Sequence, residues 1–94
     1  MNFPYIKEKY ANGTSWYRIW SDGWIEQGGY SSGSTGRTVS FLKVFSNTNF
    51  SIHGAINGNS ATGDNSIVFG SITTSNFKIY SANATRWLAC GYIA

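Results

Sequence analysis

The sequence predicts an all-β fold: a small antiparallel β-sandwich carrying an N-terminal β-hairpin. Three observations lead there. Ser, Thr, Asn and Gly together supply 41 of the 94 residues, while 17% are aromatic and only 12% charged. Aromatic and β-branched residues suit pleated strands, and Gly/Asn/Ser clusters suit the turns between them. Apolar runs also recur at short, regular spacing between such clusters, as in a sandwich or barrel. Finally, with two Leu, one Met, two Glu and one Gln, a long helix has too few good helix formers. A disordered chain would be charge-rich and aromatic-poor, so disorder is excluded.

The elements follow in order. Residues 5–10 (Tyr-Ile-Lys-Glu-Lys-Tyr) form a short strand closed by Asn12-Gly13. Residues 16–20 and 24–27 form a hairpin, because Ser21-Asp22-Gly23 is a three-residue connection with glycine at the left-handed position. Its register sets Trp20 opposite Trp24 and Arg18 opposite Glu26, with Ile19 and Ile25 meeting on the other face. Residues 28–36 are polar and glycine-rich and read as a flexible loop. Strands are expected over 37–45, 50–57, 66–73, 77–81 and 86–93. Residues 1–15 read as a lead-in to a single domain over 16–94.

Ninety-four residues bury a modest core, so such a domain usually needs a disulfide, a metal or a partner copy. The single Cys90 excludes an internal disulfide, and one His with four acidic residues leaves little to hold a metal. Oligomerisation remains. The alternation agrees: Val39, Phe41 and Phe45 share one face while Leu42 and Val44 occupy the other, and Trp87 and Ala89 oppose Leu88, Cys90 and Tyr92. A half-solvated strand would alternate apolar with polar. A neighbouring copy of the chain is the expected second cover.

Catalysis finds no residue set. His53 lies mid-strand and lacks an orienting carboxylate, since the nearest, Asp64, sits in a loop. Of the carboxylates Glu8, Asp22, Glu26 and Asp64, Asp22 serves the turn and Glu26 pairs with Arg18, which leaves no glycosidase pair. Apolar neighbours suppress thiolate chemistry at Cys90. Zinc spacings are absent, and Gly58–Gly63 precedes neither a lysine nor a helix, so no cofactor is expected. The net charge of +3 comes from scattered cations rather than a stripe, which speaks against nucleic acid. No run approaches the ~20 apolar residues of a membrane span, so no insertion is expected, and residues 1–10 lack a signal-peptide core.

Surface chemistry is what remains. Loops 57–65 and 82–86 carry Asn57, Asn59, Asp64, Asn65, Asn83 and Arg86, with Tyr80 just before the second. Sugars need directed hydrogen bonds and flat apolar faces, and these residues supply both. They form the expected binding rim, although turn chemistry alone also accounts for any one of them.

The segment Asn12 to Gly29, with its aromatic hairpin around Ser21-Asp22-Gly23 followed by Ile25-Glu26-Gln27, resembles phage tail-fibre C-terminal domains of the gp53-like type. Val39-Ser40-Phe41, Phe50-Ser51-Ile52, Ser75 to Ile79 and Arg86 to Tyr92 extend the resemblance over residues 5–94. The later half is also similar to H-type lectins, six-stranded sandwich trimers that bind N-acetylgalactosamine-type sugars between protomers. The lectins' Trp-His pair has no counterpart at Ala82–Thr85, and their arginine ahead of the fourth strand is replaced near Asp64. The resemblance implies a homotrimeric receptor-binding tip on a virion fibre, made in the host cytoplasm and gripping bacterial polysaccharide or lipopolysaccharide. A structural trimerisation cap with no ligand is the competing expectation.

Overall fold

The computed structural model describes residues 3–56 and 67–93. Its strands are β1 (Ile6–Asn12), β2 (Ser15–Trp20), β3 (Trp24–Ser31), β4 (Arg37–Ser40), β5 (Ser51–Ile56), β6 (Val68–Gly70), β7 (Asn76–Tyr80) and β8 (Thr85–Tyr92). They form two antiparallel sheets, a five-stranded one ordered β1-β2-β3-β8-β5 and a three-stranded one ordered β4-β7-β6. No helix among the described residues is long and apolar enough to cross a membrane.

The hairpin adopts the expected register, with Arg18 opposite Glu26 and Ile19 opposite Ile25. Gly23 takes a φ of 92°, its N–H donates to the Trp20 carbonyl at 2.9 Å, and Asp22 Oδ1 accepts from the Trp24 N–H at 3.1 Å. Turn chemistry this local needs no help from the rest of the fold.

Strand β8 alternates strictly between the two faces, and the register carries that parity onto β3 and β5. Ile25 and Gln27 on β3, Trp87 and Ala89 on β8, and Ile52 on β5 point toward the small sheet. They meet Phe77 and Ile79 of β7 in a core completed by Ile19, Phe41 and Phe45. Phe41 is the hub, with ring centroids 4.9 Å from Phe45, 5.3 Å from Phe50 and Phe77, and 5.9 Å from Trp87.

Three expectations are revised. Residues 28–31 are not loop: β3 runs through Gly28 and Gly29, both buried, because the Trp16 and Trp87 rings fill the room that absent side chains leave. The strand expected over 37–45 ends at Ser40. Beyond it the chain crosses between the sheets, tied by the Phe41 N–H to the Ser75 carbonyl and the Phe45 N–H to the Thr74 carbonyl. That crossing sends Phe41 and Phe45 inward and leaves Leu42 and Val44 43% and 57% exposed, so those two do not form the second apolar face of a strand. The strand expected over 66–73 is only the three-residue β6 within the described part.

Fully buried Gln27 stitches the crossing to the large sheet. Its side-chain amide donates to the Lys43 carbonyl at 2.8 Å and accepts from the Lys43 N–H at 3.1 Å, acting as one extra rung of backbone ladder. Strand β1 is exposed along all seven residues and pairs only with β2, so it projects beyond the core as an arm, while β2 still supplies Ile19 to that core.

Candidate functional site

One end of the sandwich gathers loops 32–36 and 81–84. Arg37, the first residue of β4, faces inward at that end and ties both loops to the sheets. Its Nε donates to Ser31 Oγ at 2.8 Å and one Nη to the Ser81 carbonyl at 2.5 Å. The other Nη donates to the carbonyls of Ser31 and Asn83 at 3.1 and 2.9 Å and to Thr85 Oγ1 at 3.2 Å. A planar fork of five N–H donors can satisfy so many acceptors at once, which an ammonium cannot. In the sequence Arg37 looks like any solitary cation, and its acceptors lie up to 48 residues away.

The expected rim residues are placed as follows. Asn57, Asn59, Asp64 and Asn65 lie outside the described residues. The strand ends flanking them are described: Ile56 stands opposite Thr85 and Val68 opposite Tyr80, which anchors that connection at the Arg37 end. Asn83 is held there through its backbone, its carbonyl accepting from Arg37 and Thr85 and its N–H donating to Ser81 Oγ at 3.1 Å. Tyr80 projects from the outer face of the small sheet, its ring against Gly70 and its hydroxyl 3.3 Å from Ser71 Oγ. Arg86 projects from the outer face of the large sheet, its guanidinium 5.5 Å from the Tyr30 ring centroid. Tyr80 and Arg86 thus share an end of the sandwich but open to opposite sides of it.

Beside Arg86 runs a shallow groove of about 330 Å³ lined by His53, Gly54, Ala55, Arg86, Trp87 and Leu88. His53 is exposed on this face, opposite Leu88. The groove offers a ring edge, a guanidinium and a strip of apolar surface. The pairing of β5 with β8 creates it, and nothing in a linear reading of residues 51–56 announces that partner. Among the described residues, no cluster of His, Cys, Asp and Glu could hold a metal.

The hairpin residues belong to the outer face of the large sheet. Glu26 Oε1 accepts from Arg18 Nε at 2.6 Å and from Trp20 Nε1 at 2.9 Å. Burial pushes the Glu26 carboxyl up, but the hydrogen bonds from Trp20 and Arg18 and the arginine's charge together hold it below the ordinary range. Cys90 lies opposite Glu26, and partial burial, reinforced by that carboxylate, raises its thiol above the usual value. A protonated thiol is a poor nucleophile, in keeping with a packing role. On the inner side of the arm, the Tyr17 hydroxyl donates to Glu8 Oε2, which raises the phenol, and Lys43 Nζ sits 5.2 Å from the Tyr17 ring centroid.

No protein-family model and no curated protein matches the chain. Solved structures do. An N-truncated R2-type pyocin tail fibre superposes with a TM-score of 0.73 at 19% identity, over 96% of this chain and 38% of the fibre chain. A C-terminal fragment of the P. aeruginosa R2 pyocin fibre gives 0.76 at 18% identity, over 96% of this chain and 26% of that one. The chain therefore spans well under half the length of either fibre structure. The architecture of this chain is one that R2 pyocin tail fibres also carry.

Proposed function

We propose that this chain is the receptor-binding tip of a bacteriophage tail fibre, a non-catalytic homotrimer on the virion that adheres to bacterial surface polysaccharide or lipopolysaccharide. The observation that carries the reading is the fold shared with R2 pyocin fibres over 96% of the chain. The rim supports it: Arg37 ties down two loops at one end, and the ends of the 57–66 connection arrive at that same end. Binding residues sit well on loops fixed to a rigid scaffold. Three shallow sites on one trimer gain avidity, so each can be weak.

The test is labelling of host cells and host glycans by the purified chain. Binding is expected from the wild-type chain and should be lost when the 57–65 and 82–86 loops are converted to alanine. Undiminished binding by that variant removes the rim from the site. A trimer that leaves every host surface unlabelled, and whose deletion stops fibre assembly, identifies a structural cap instead.

A further inference from the structure

The outer face of the five-stranded sheet has the wrong composition for water. Three of the four tryptophans, Trp16, Trp20 and Trp24, lie on it together with Tyr30, Leu88 and Tyr92. The fourth, Trp87, is in the core. A sheet with one solvated face should be polar there. The described residues supply no layer over this face, since the small sheet packs on the opposite side.

Aromatic rings on a flat sheet could serve a sugar or a protein, and the geometry separates the two. A stacking platform needs open ring faces. The Trp16 ring packs against Gly28, where a Cβ would come within 2.9 Å of it, and Arg18 stands 5.5 Å from its centroid. The Tyr30 ring carries Arg86, and Trp24 and Tyr92 meet edge to face at 5.1 Å. The polar atoms at the centre are also satisfied in place, because Glu26 takes hydrogen bonds from both Arg18 and Trp20. A face with rings already occupied and its central charge pair internally compensated can be buried without leaving a charge unpaired. It needs no partner of opposite polarity, and so several copies can turn it toward a common axis, each meeting a neighbour's flank of the same face. Enrichment in Trp, Tyr and Arg with few Lys and Glu is the composition of a protein interface core.

We propose that this face, centred on β3 and β8, is the contact between copies of the chain in the homotrimer. The proposal rests on the homotrimer reading and adds to it the surface that is buried. Strands β3 and β8 at about 27 Å and β2 and β5 at about 20 Å, spaced about 4.8 Å apart, give roughly 450 Å² in projection before side-chain relief. That is the order of the ~800 Å² per partner of a standard stable interface. One consequence concerns the site. The groove beside His53 and Arg86 opens on this same face, so a neighbouring copy forms its second wall.

The test measures the mass of the full chain by light scattering for the wild type, Leu88→Glu, and a control, Val44→Glu, which alters an exposed apolar residue away from this face. The expected result is a trimer for the wild type and the control and a threefold drop in mass for Leu88→Glu with its β circular dichroism retained. A folded Leu88→Glu trimer overturns the interface and leaves the homotrimer standing. A monomeric wild type overturns both, and host binding by that monomer would still support the adhesin reading. Should Leu88→Glu fail to fold, maleimide labelling of Cys90 in the wild type decides. Protection at high concentration that is lost on dilution, in step with the fall in mass, supports the interface, and equal labelling of trimer and monomer overturns it.

Discussion

Replacing Arg37 with Met should cost this small domain a large part of its stability, although the residue is charged, half-buried and far from the centre of the core. The guanidinium makes five hydrogen bonds of 3.2 Å or shorter, to Ser31, Ser81, Asn83 and Thr85. Such bonds net about 1 kcal/mol each when neutral and more when charge-assisted. They share one side chain and one pair of loops, so they do not add, and water can reach some of the freed acceptors. A loss of about 3 kcal/mol is the resulting expectation, against a total of roughly 5–15 kcal/mol for a domain. At 94 residues that lowers Tm by roughly 12–24 °C. Urea unfolding followed by tryptophan fluorescence measures it, at one fixed protein concentration because the proposed self-association would shift the midpoint. Arg37→Lys keeps the charge but loses the fork, so it should recover only a minority of the loss. Arg86→Met removes a cation–π contact on the open face and should cost about 1 kcal/mol or less. If Arg37→Met unfolds within about 1 kcal/mol of wild type, the two loops are held by something else and the rim loses its anchor.

Gly28→Ala would place a Cβ 2.6 Å from the Trp87 carbonyl oxygen and 2.9 Å from the Trp16 ring. Parting two paired strands to admit it should cost about 1–3 kcal/mol in the same urea assay. Gln27→Met preserves the buried volume but strips the Lys43 N–H and carbonyl of their partners, and a loss of about 2 kcal/mol or more is expected. Because folding depresses the Glu26 carboxyl, its contribution is complete above the ordinary value of 4.5 and fades as pH falls through the folded-state value. The stability gap between wild type and Glu26→Gln should therefore be widest near neutrality and close in acid. Cys90 works in the opposite sense, since a thiol raised on folding withdraws stability as pH climbs past 9.0, and Cys90→Ser should soften that alkaline decline.

What could be read from the sequence was whatever is decided locally. Ser21-Asp22-Gly23 dictated a turn, and the turn dictated the Arg18–Glu26 and Ile19–Ile25 pairs. The continuation past Ser40 could not be read, because Val39, Phe41 and Phe45 keep strand-like parity even though the chain leaves the sheet. The signals that divert it are the carbonyls of Thr74 and Ser75, about thirty residues on in the chain. Gly28-Gly29 looked like loop for the reason it is strand: with no side chains of its own, it accepts the rings of Trp16 and Trp87. Tyr80, Asn83 and Arg86 lie at one end of the sandwich, but whether neighbouring residues open to the same side depends on which sheet each strand joins.

The two faces of the large sheet suggest how so few residues hold a fold together. A compact chain of 94 residues has a radius of gyration of about 12 Å. This one reaches 14.3 Å, with extents of 51 × 24 × 22 Å, and its fully exposed β1 lies outside the core. Elongation exposes surface that a lone chain must hydrate, and here the exposed part includes Phe3, Tyr5 and Ile6 ahead of and within the arm, and Tyr92 on the open face. Strand β1 presents an unpaired edge, yet a two-fold copy of itself is disfavoured in the registers centred on Lys7, Glu8 or Lys9. Pairing centred on Glu8 sets carboxylate against carboxylate and Lys7 against Lys9, and pairing centred on either lysine sets ammonium against ammonium. The edge therefore penalises those charged registers, while the Trp-rich face has its central charges already matched. If copies associate as proposed, the edge would turn them toward the face, an arrangement that lets copies gather round an axis and keeps the loops of the Arg37 end free.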